Sequence, residues 1–516
     1  MQRSSLFTFA SFSLLLVLAH GCTDDGNNDG VASTYVPDTG DSLSGSGDGG
    51  GDGDGDGDGD GGNEGGCPPI TGCLDLPDES DNLIGCDSKG NCNLIDLLFV
   101  IDNSGTMGEE QLNLARNFPL LVNKLETLEE AGGGTLGANV NIMVTTTDFG
   151  NPLCKPFAKH PPEMGAPVAS SCTKRLDRFT GLEQLNPPVY TEACTDVCTA
   201  PGIAPTNGDL IIHFSDEGHN LPPVADVDIN GDGIPDSPVA QALACIGPQG
   251  IDGCGYEAPL ESMMQALNPL ASWNCGSPGD LAKCPNGGVA RPFMREGAVL
   301  AIALVSDEAD CSVSDYSIMT NPSYFAELDG QKLPSSSICW KAGVTCNGPD
   351  ANGVYINCRA DDKQGELHPL SRYVNFLTKY VRDDLGKEVV MLGILGVPPV
   401  TAHNPKSPHE PIEGGVHDLV YRKWRESDIL PEDAAKGIDA DYQQWSFGMG
   451  PGCTGVDGQG NVTGQAIPPV RMKELCESLN YDNKIRCCIE SVCDEDFSAA
   501  LGCLTDVLQD VFVPIG

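Results

Sequence analysis

Basic residues are scarce in this 516-residue chain. It has 29 lysines and arginines against 74 aspartates and glutamates, so its formal net charge is -45. A nucleic-acid partner needs a cationic surface that faces its phosphates, and this charge balance argues against such a partner. The same balance is typical of an exported, well-hydrated protein and suits a protein that binds divalent cations.

Long apolar runs are also missing. The apolar stretch at residues 6–19 is shorter than the roughly 18–20 residues that a membrane-spanning helix needs. It follows Arg3 and precedes Cys22, which is the order of an export signal. Gly21 and Cys22 resemble the bacterial lipobox, in which the cysteine is acylated. We therefore expect residues 1–22 to direct export and acylated Cys22 to anchor the chain to a bacterial membrane. The expected location is the outer membrane or cell surface. Simple secretion after cleavage before Cys22 is the alternative.

Three motifs of metal and catalytic chemistry are missing too. None of the 23 cysteines forms a Cys-x-x-Cys pair, which disfavours a zinc site. If Cys22 carries lipid, the 22 others are an even number that fits disulfides in an oxidising compartment. No His-Glu-x-x-His or Gly-x-Ser-x-Gly motif occurs, so metalloprotease and serine hydrolase functions lack support. We do not expect an enzyme.

Composition divides the chain into four parts. After the signal, residues 23–66 contain a Gly-Asp repeat and no lysine or arginine, which predicts a disordered acidic tether. Residues 67–92 hold four cysteines and predict a small disulfide-bonded lead-in. From 93 to 516 strands and helices alternate, with irregular insertions at about 150–250, 312–365 and 398–468.

The alternating part predicts an α/β fold with a doubly wound, mostly parallel sheet flanked by helices. Apolar runs predict buried strands at residues 94–101, 139–145, 297–305 and 388–396. A stripe of leucines at helical spacing predicts a helix after the first strand, ended by glycines 132–134, and similar patterns predict helices at 370–381 and 497–512. Ligands of such sheets bind beyond the carboxyl ends of the strands.

Two of these strand ends carry oxygen ligands. The turn "DNSGT" places Asp102, Ser104 and Thr106 at alternate positions after the first strand, and Asp307 follows the strand that ends at residue 305. Hard cations such as Mg2+ prefer oxygen ligands and retain several waters. The four side chains therefore predict part of a coordination shell for Mg2+ or Mn2+.

This arrangement resembles the metal-ion-dependent adhesion site of the von Willebrand factor type A family. That family has an Asp-x-Ser-x-Ser or Asp-x-Ser-x-Thr turn after its first strand and an Asp after its fourth, which Asp102, Ser104, Thr106 and Asp307 match. The stretches "VSDEADCS" (305–312) and "VCDEDFSAAL" (492–501) more closely resemble the large type A lipoproteins of bacterial surfaces, which have cysteine-rich insertions. The resemblance implies a Rossmann-like fold and binding of a protein or polysaccharide partner that offers a carboxylate to the cation.

One position departs from the family pattern. The family supplies a threonine ligand from a glycine-containing loop that opens a helix, and the matching stretch, "GCGYEAPLESMMQAL" at 253–267, has no threonine. Glu257 is the candidate substitute. Its alternative role is that of an exposed acid favoured by the helix dipole.

Two other functions compete with adhesion. "FVIDNSGTM" also resembles the first motif of haloacid-dehalogenase-type phosphohydrolases, with Asp102 as nucleophile. Ser104 stands where that family has its second aspartate, and its later acidic pair would be Asp307 and Asp310. The remaining alternative is a structural surface protein with a vestigial metal site.

A second motif predicts calcium. The segment "DVDINGDGIPD", residues 226–236, has oxygen-bearing side chains at the alternate positions of a calcium loop and a glycine at its turn. We predict that Ca2+ binds there and stabilises the first insertion; the candidate ligands are Asp226, Asp228, Asn230, Asp232 and Asp236. The alternative is a plain acidic turn.

Overall fold

The structure is a computed structural model that describes residues 93–130, 133–182, 187–274, 293–362, 365–456 and 462–512. Its strands are β1 (Leu94–Ile101), β2 (Asn139–Thr146), β3 (Ile212–Ser215), β4 (Gly218–His219), β5 (Val299–Val305), β6 (Ala326–Leu328), β7 (Gln331–Leu333), β8 (Val344–Asn347), β9 (Val354–Ala360), β10 (Val389–Leu395), β11 (Val400–His403), β12 (Pro411–Gly414), β13 (Tyr421–Arg422), β14 (Cys453–Val456), β15 (Val462–Ala466) and β16 (Cys487–Ser491). Its α-helices are α1 (Gly108–Glu126), α2 (Glu192–Thr195), α3 (Pro238–Ile246), α4 (Pro259–Ala266), α5 (Ser337–Gly343), α6 (Leu370–Asn375), α7 (Pro431–Lys436), α8 (Ala440–Phe447), α9 (Val470–Glu477) and α10 (Ser498–Phe512).

A seven-stranded sheet in the order β16-β10-β5-β1-β2-β3-β4 forms the centre of the fold. Its first five strands are parallel, and β3 and β4 complete one edge in antiparallel pairing. The fold is therefore α/β with a mostly parallel central sheet, as the sequence predicted. From β1 the chain continues to β2 on one side and later enters β5 on the other side, so the direction of winding reverses between β1 and β5.

Helices cover both faces of this sheet because alternate residues of a strand point to opposite faces. In β1, Leu97 and Phe99 belong to a core with α1, α3 and α10, and Phe99 meets Phe118 edge-on at 5.3 Å between ring centroids. Leu98 and Val100 belong to a second core with α4, α6 and α9. All eight residues of β1 are buried, which explains its almost continuous apolar sequence.

The four predicted strands are present as β1, β2, β5 and β10, and the predicted C-terminal helix is α10. The helix predicted at 370–381 begins as α6 and continues as a π-helical segment, Phe376–Asp384. α1 ends at Glu126, before the glycines that were predicted to end it. Strand β16 and the short edge strand β4 were not predicted from the sequence.

Eight disulfides lie within the described ranges. The first insertion holds three of them, Cys154–Cys254, Cys172–Cys194 and Cys198–Cys245, and the second has Cys311–Cys339 and Cys346–Cys358. The other three are Cys453–Cys493, Cys476–Cys487 and Cys488–Cys503. The two adjacent cysteines of β16 point to opposite faces, so one is bonded to α9 and the other to α10.

The first predicted insertion is less peripheral than its composition indicates. It supplies β3, which pairs with β2, and α3, whose residues from 239 to 246 are buried against the core. The signal and lipobox at 1–22, including Cys22, the tether at 23–66 and the lead-in at 67–92 lie outside the described residues. Within the described part of the chain, no helix combines the length and the apolar character that crossing a membrane requires.

Candidate functional site

The carboxyl ends of β1 and β5 meet at one edge of the sheet. The parallel register pairs Ile101 with Val305, and the backbone N–H of Asp102 donates to the Val305 carbonyl at 2.9 Å. The residues that follow both strands therefore lie side by side. This edge is also the place where the winding of the sheet reverses, and ligands of open α/β sheets bind at such a point.

The four predicted ligands come together here. The Thr106 hydroxyl donates to Asp307 Oδ2 at 2.5 Å, and the hydroxyl oxygens of Ser104 and Thr106 are 3.4 Å apart. Asp102 accepts the Ser104 backbone N–H on Oδ1 at 2.8 Å. Two chain segments separated by about 200 positions thus place their side-chain oxygens around one point.

Burial distinguishes these groups. Asp102 is fully buried, and Ser104 and Asp307 are almost so, whereas Thr106 is exposed. Asp307 Oδ1 is buried and has no hydrogen-bond partner in the described structure. A buried carboxylate oxygen without a partner is costly unless a cation or a proton compensates it.

The end of β2 adds a third set of polar groups that the sequence analysis missed. The register pairs Ile101 with Thr146, and the Thr147 hydroxyl donates to Glu257 Oε2. Glu257 is buried, and its Oε1 has no hydrogen-bond partner among the described residues. The run "TTTD" at 145–148 was the available signal, since it too follows an apolar strand. Glu257 is therefore a buried neighbour of this strand end and not an exposed acid at a helix start.

Two residues hold the surrounding segments in place. Gln111 Nε2 donates to the carbonyls of Asp102 and Gly250, both at 2.8 Å, while its Oε1 accepts the backbone N–H of Gln249 at 2.7 Å. The backbone N–H of Gly253 donates to the Asn103 carbonyl at 2.8 Å. A Cβ atom at this glycine would lie only 2.5 Å from the Asn103 side chain. The turn at 102–106 thus packs directly against the glycine loop that leads to Glu257.

The negative charges of the acidic side chains at this site are not fully compensated by neighbouring groups. Burial raises the pKa of Asp102 to about 6, although hydrogen bonds from Ser306 and Ser104 oppose this shift. Burial and then the charge of Asp102 raise the pKa of Asp307 to about 7. Burial, with repulsion from neighbouring carboxylates, also raises the pKa values of Glu257 and Glu308 well above the ordinary range. A cation would stabilise the ionised forms of all four.

The donor set fits a hard cation that retains water. Within the described ranges, no group of three or more His, Cys, Asp or Glu side chains could hold a metal ion. The cluster at β1 and β5 instead combines two carboxylates with two hydroxyls. Any cation bound there takes its remaining ligands from water or from a partner, which is the manner in which Mg2+ usually binds.

Comparison with known proteins finds no matching family model, no matching curated protein and no matching solved structure. The resemblance to type A domains therefore stays a prediction, and function is inferred from the geometry of the site.

Stability should depend on pH in a direction that these pKa shifts fix. An unfolded aspartate has a pKa of about 4, whereas the pKa of Asp307 in the fold is about 7. The folded chain therefore binds more protons than the unfolded chain between these values, so without metal it loses stability as the pH rises through this window. In a chelator, we expect a higher melting temperature at about pH 5 than at about pH 7.5.

Magnesium should reverse this trend. It should raise the melting temperature at about pH 7.5 and have less effect at about pH 5, where protons compete for the same carboxylates. Scanning calorimetry of the wild type and of Asp102→Asn measures both effects, and the variant should show a weaker pH dependence. Equal magnesium effects at the two pH values would contradict the prediction.

The predicted calcium loop is exposed and closed by its own hydrogen bonds. Asp228 accepts the backbone N–H groups of Gly231 at 2.7 Å and Gly233 at 2.8 Å, and Asp236 accepts that of Ile229 at 2.6 Å. An antiparallel bridge between Val227 and Asp236 joins the two ends. This geometry fits a stable acidic turn, and calcium binding stays a prediction.

Calcium should protect this loop from proteolysis if the prediction holds. We expect a Kd on the order of 10^-4 M, in the range of extracellular calcium modules. Asp226→Asn with Asp228→Asn should abolish the protection, because asparagine retains the acceptors of the turn but removes the charge. Limited proteolysis with and without Ca2+ measures it. Asp196→Asn with Glu217→Gln, two exposed acids of the same insertion, is the matched control, and equal protection in both double variants would contradict calcium binding.

Proposed function

We propose that this chain is an exported lipoprotein of a bacterial surface whose α/β domain binds a partner through Mg2+ or Mn2+. The observation that carries this proposal is the convergence of Asp102, Ser104 and Thr106 on Asp307 at the point where the winding of the sheet reverses. The partner would be a protein or polysaccharide that offers a carboxylate to the open position of the cation.

The composition of the site favours capture of an external ligand. Two carboxylates balance a divalent cation, and the two hydroxyls add oxygen atoms without adding charge. A cation held in this way retains its attraction for a further carboxylate, while a cage of many carboxylates would satisfy it within the chain. Thr106 is exposed, so the site is open on that side.

The resemblance to type A domains agrees with this proposal. In the sheet, β1 lies between β2 and β5, and Asp307 follows β5. On its other side, β2 pairs with β3 in antiparallel orientation. At the position of the missing family threonine, we propose that Thr147 supplies the hydroxyl and that Glu257, which accepts its hydrogen bond, orients it.

The phosphohydrolase alternative has less support from the contacts. The motif of that family has a second acid two residues after its nucleophile, and here Ser104 supplies a neutral hydroxyl, whose oxygen lies 3.4 Å from that of Thr106. Asp310 bonds to Arg471 and Ser312, at 2.8 and 2.6 Å, and so is already neutralised by a partner from α9. Assays of phosphate-ester hydrolysis with Mg2+ test this alternative directly.

Export and anchoring belong to the same proposal. The eight disulfides found within the described ranges fit an oxidising compartment. If Cys22 is acylated, Cys22→Ser should move the protein from the membrane fraction to the soluble exported fraction. Detergent partitioning and immunoblotting measure the change. Unaltered membrane association of the variant would refute the lipid anchor.

The proposed function is tested by recovery of partners from bacterial envelope extracts. The full chain should retain specific proteins or polysaccharides in Mg2+, release them in EDTA, and retain them again when Mn2+ is added. Retention that EDTA does not change would contradict the proposal. Direct titration of the chain with Mg2+ separates it from the vestigial-site alternative, which predicts no binding.

A further inference from the structure

A cavity of about 330 Å³ opens directly beside Asp307. Three distant segments form its walls: the first half of α1, the hairpin of β14 and β15, and residues 492–496 after β16. Its volume is at the lower limit for small-molecule pockets, so it fits a single side chain or a small headgroup. The cavity and the proposed cation site share Asp307 as a lining residue.

The walls combine an apolar base with acidic groups. Leu112, Tyr190 and Val492 provide the apolar surface. The acidic residues come from two sides, Glu109 and Glu110 from α1 and residues 494–496 from the opposite wall, and Arg116 is the basic residue among the lining groups. The interior therefore favours a positively charged group on an aliphatic stem.

Two lining carboxylates have oxygen atoms that remain uncompensated. Glu110 Oε2 and Asp307 Oδ1 are buried and have no hydrogen-bond partner in the described structure. Asp307 is assigned to the cation site, but Glu110 is not. Burial also raises the pKa of Asp494 on the opposite wall to about 6. Buried acids without partners point to a missing cationic ligand.

Covalent and hydrogen bonds fix the acidic wall in position. The disulfide between Cys453 and Cys493 joins the hairpin to the segment at 492–496, and Asn113 Nδ2 donates to the Asp494 carbonyl at 2.9 Å. A wall held in this way loses little conformational freedom when a ligand binds. The cavity is thus a preformed pocket whose walls are joined to one another by a disulfide and a hydrogen bond.

We propose that this cavity receives the ammonium or guanidinium group of a lysine or arginine side chain on the same partner whose carboxylate binds the cation. The inference rests on the proposed function and adds the chemical class of its partner, a chain that carries a carboxylate and a nearby cationic side chain. A second metal ion is a poorer occupant, because no three acids in the described ranges are arranged to hold one. A second copy of this chain is also a poorer occupant, because the acidic walls repel a molecule whose formal net charge is -45.

Labelled peptides test the pairing of charges. Each peptide carries one glutamate and one lysine separated by different numbers of glycines in both orders, and matched sets replace the lysine with norleucine or with a second glutamate. Fluorescence anisotropy with the full chain in Mg2+ measures the Kd. At one or more spacings, the lysine peptide should bind about tenfold more tightly than its norleucine counterpart. The peptide with two glutamates should bind most weakly.

Two double variants locate the preference. Glu110→Gln with Asp494→Asn should abolish the difference between lysine and norleucine. Glu432→Gln with Asp441→Asn removes the same charge from exposed positions and should preserve the difference. Equal binding of lysine and norleucine peptides by the wild type, or a preference that survives in the first variant, would overturn the inference.

Failure of the inference can be told apart from failure of the proposed function. Asp102→Asn should abolish magnesium-dependent binding of every peptide, whereas the cavity variant should leave binding of the norleucine peptides unchanged. If Mg2+ binds but no lysine peptide does, the cavity inference fails and the cation site stands. If Mg2+ itself does not bind, the proposed function fails, and the fluorescent alkylammonium dansylcadaverine in EDTA then tests the cavity alone by saturable binding that the cavity variant lacks.

Discussion

Replacing Asp102 with asparagine should lower the affinity for Mg2+ by at least about a hundredfold and abolish chelator-sensitive retention of partners. Loss of a group in the outer shell of a metal site typically costs about 10–100-fold in affinity, and loss of a charged direct ligand should cost no less. Asparagine retains the size of the side chain and can still accept the Ser104 N–H. Isothermal titration with Mg2+ measures the loss.

The substitution should not unfold the domain. The pKa of Asp102 is raised by its burial, so its ionised form destabilises the metal-free fold and a neutral side chain should preserve or increase the melting temperature in EDTA. Asp252→Asn is the matched control, because Asp252 is also buried close to the site but bonds to His160 at 2.5 Å. If Asp102→Asn binds Mg2+ as the wild type does, these side chains do not form a cation site.

The hydroxyl groups of the site should contribute less to Mg2+ affinity than the carboxylate of Asp102. Ser104 and Thr106 are neutral, so removing either should weaken Mg2+ binding less than removing Asp102. Ser104→Asp instead adds a negative charge to the site and supplies the second acid of the phosphohydrolase motif. Gain of phosphatase activity in that variant would favour the enzyme over the adhesion protein.

The part of the site that the sequence predicted is the part encoded by local pattern. An apolar strand followed by Asp-x-Ser-x-Thr identifies both the end of β1 and the side chains beyond it, and Asp307 follows β5 in the same way. Parallel pairing then brings these ends together without further information. Glu257 was identified by its place before a helix, but its contact with Thr147 depends on pairing between segments that are more than 100 residues apart.

The features that the sequence did not predict depend on distant segments. Strand β16 contains two adjacent buried cysteines, which form disulfides with two different helices. No local sequence pattern specifies these partners. α3 lies within a stretch whose cysteines, prolines and glycines indicated an insertion. The cavity beside Asp307 has walls from three parts of the chain, so only the fold reveals it.

A buried ion pair links the cation site to the opposite side of the sheet. Asp310 lies three residues after Asp307, and its carboxylate accepts from Arg471 Nε of α9 at 2.8 Å, while both side chains are almost completely buried. Asp310 Oδ1 also accepts the Ser312 hydroxyl at 2.6 Å and the backbone N–H of Leu260 in α4 at 3.3 Å. Arg471 Nη2 donates to the His368 carbonyl at 2.6 Å. The pair therefore joins the loop after β5 to α4 and α9.

Arg471→Met should reduce the free energy of unfolding by about 3–5 kcal/mol, because it leaves the carboxylate of Asp310 buried without its cation. Asp310→Asn added to Arg471→Met should recover much of this loss, since the second change removes the uncompensated charge and asparagine can still accept the bonds from Ser312 and Leu260. Urea unfolding with intact disulfides measures both variants.

Lys473→Met is the matched control on the same helix. Lys473 pairs with Glu477 at 2.7 Å near the surface, so the loss of this pair should cost only about 0.5 kcal/mol or less. If the two methionine variants are equally stable, the buried pair does not hold the loop that carries Asp307, and the position of this ligand must be fixed by the strand alone.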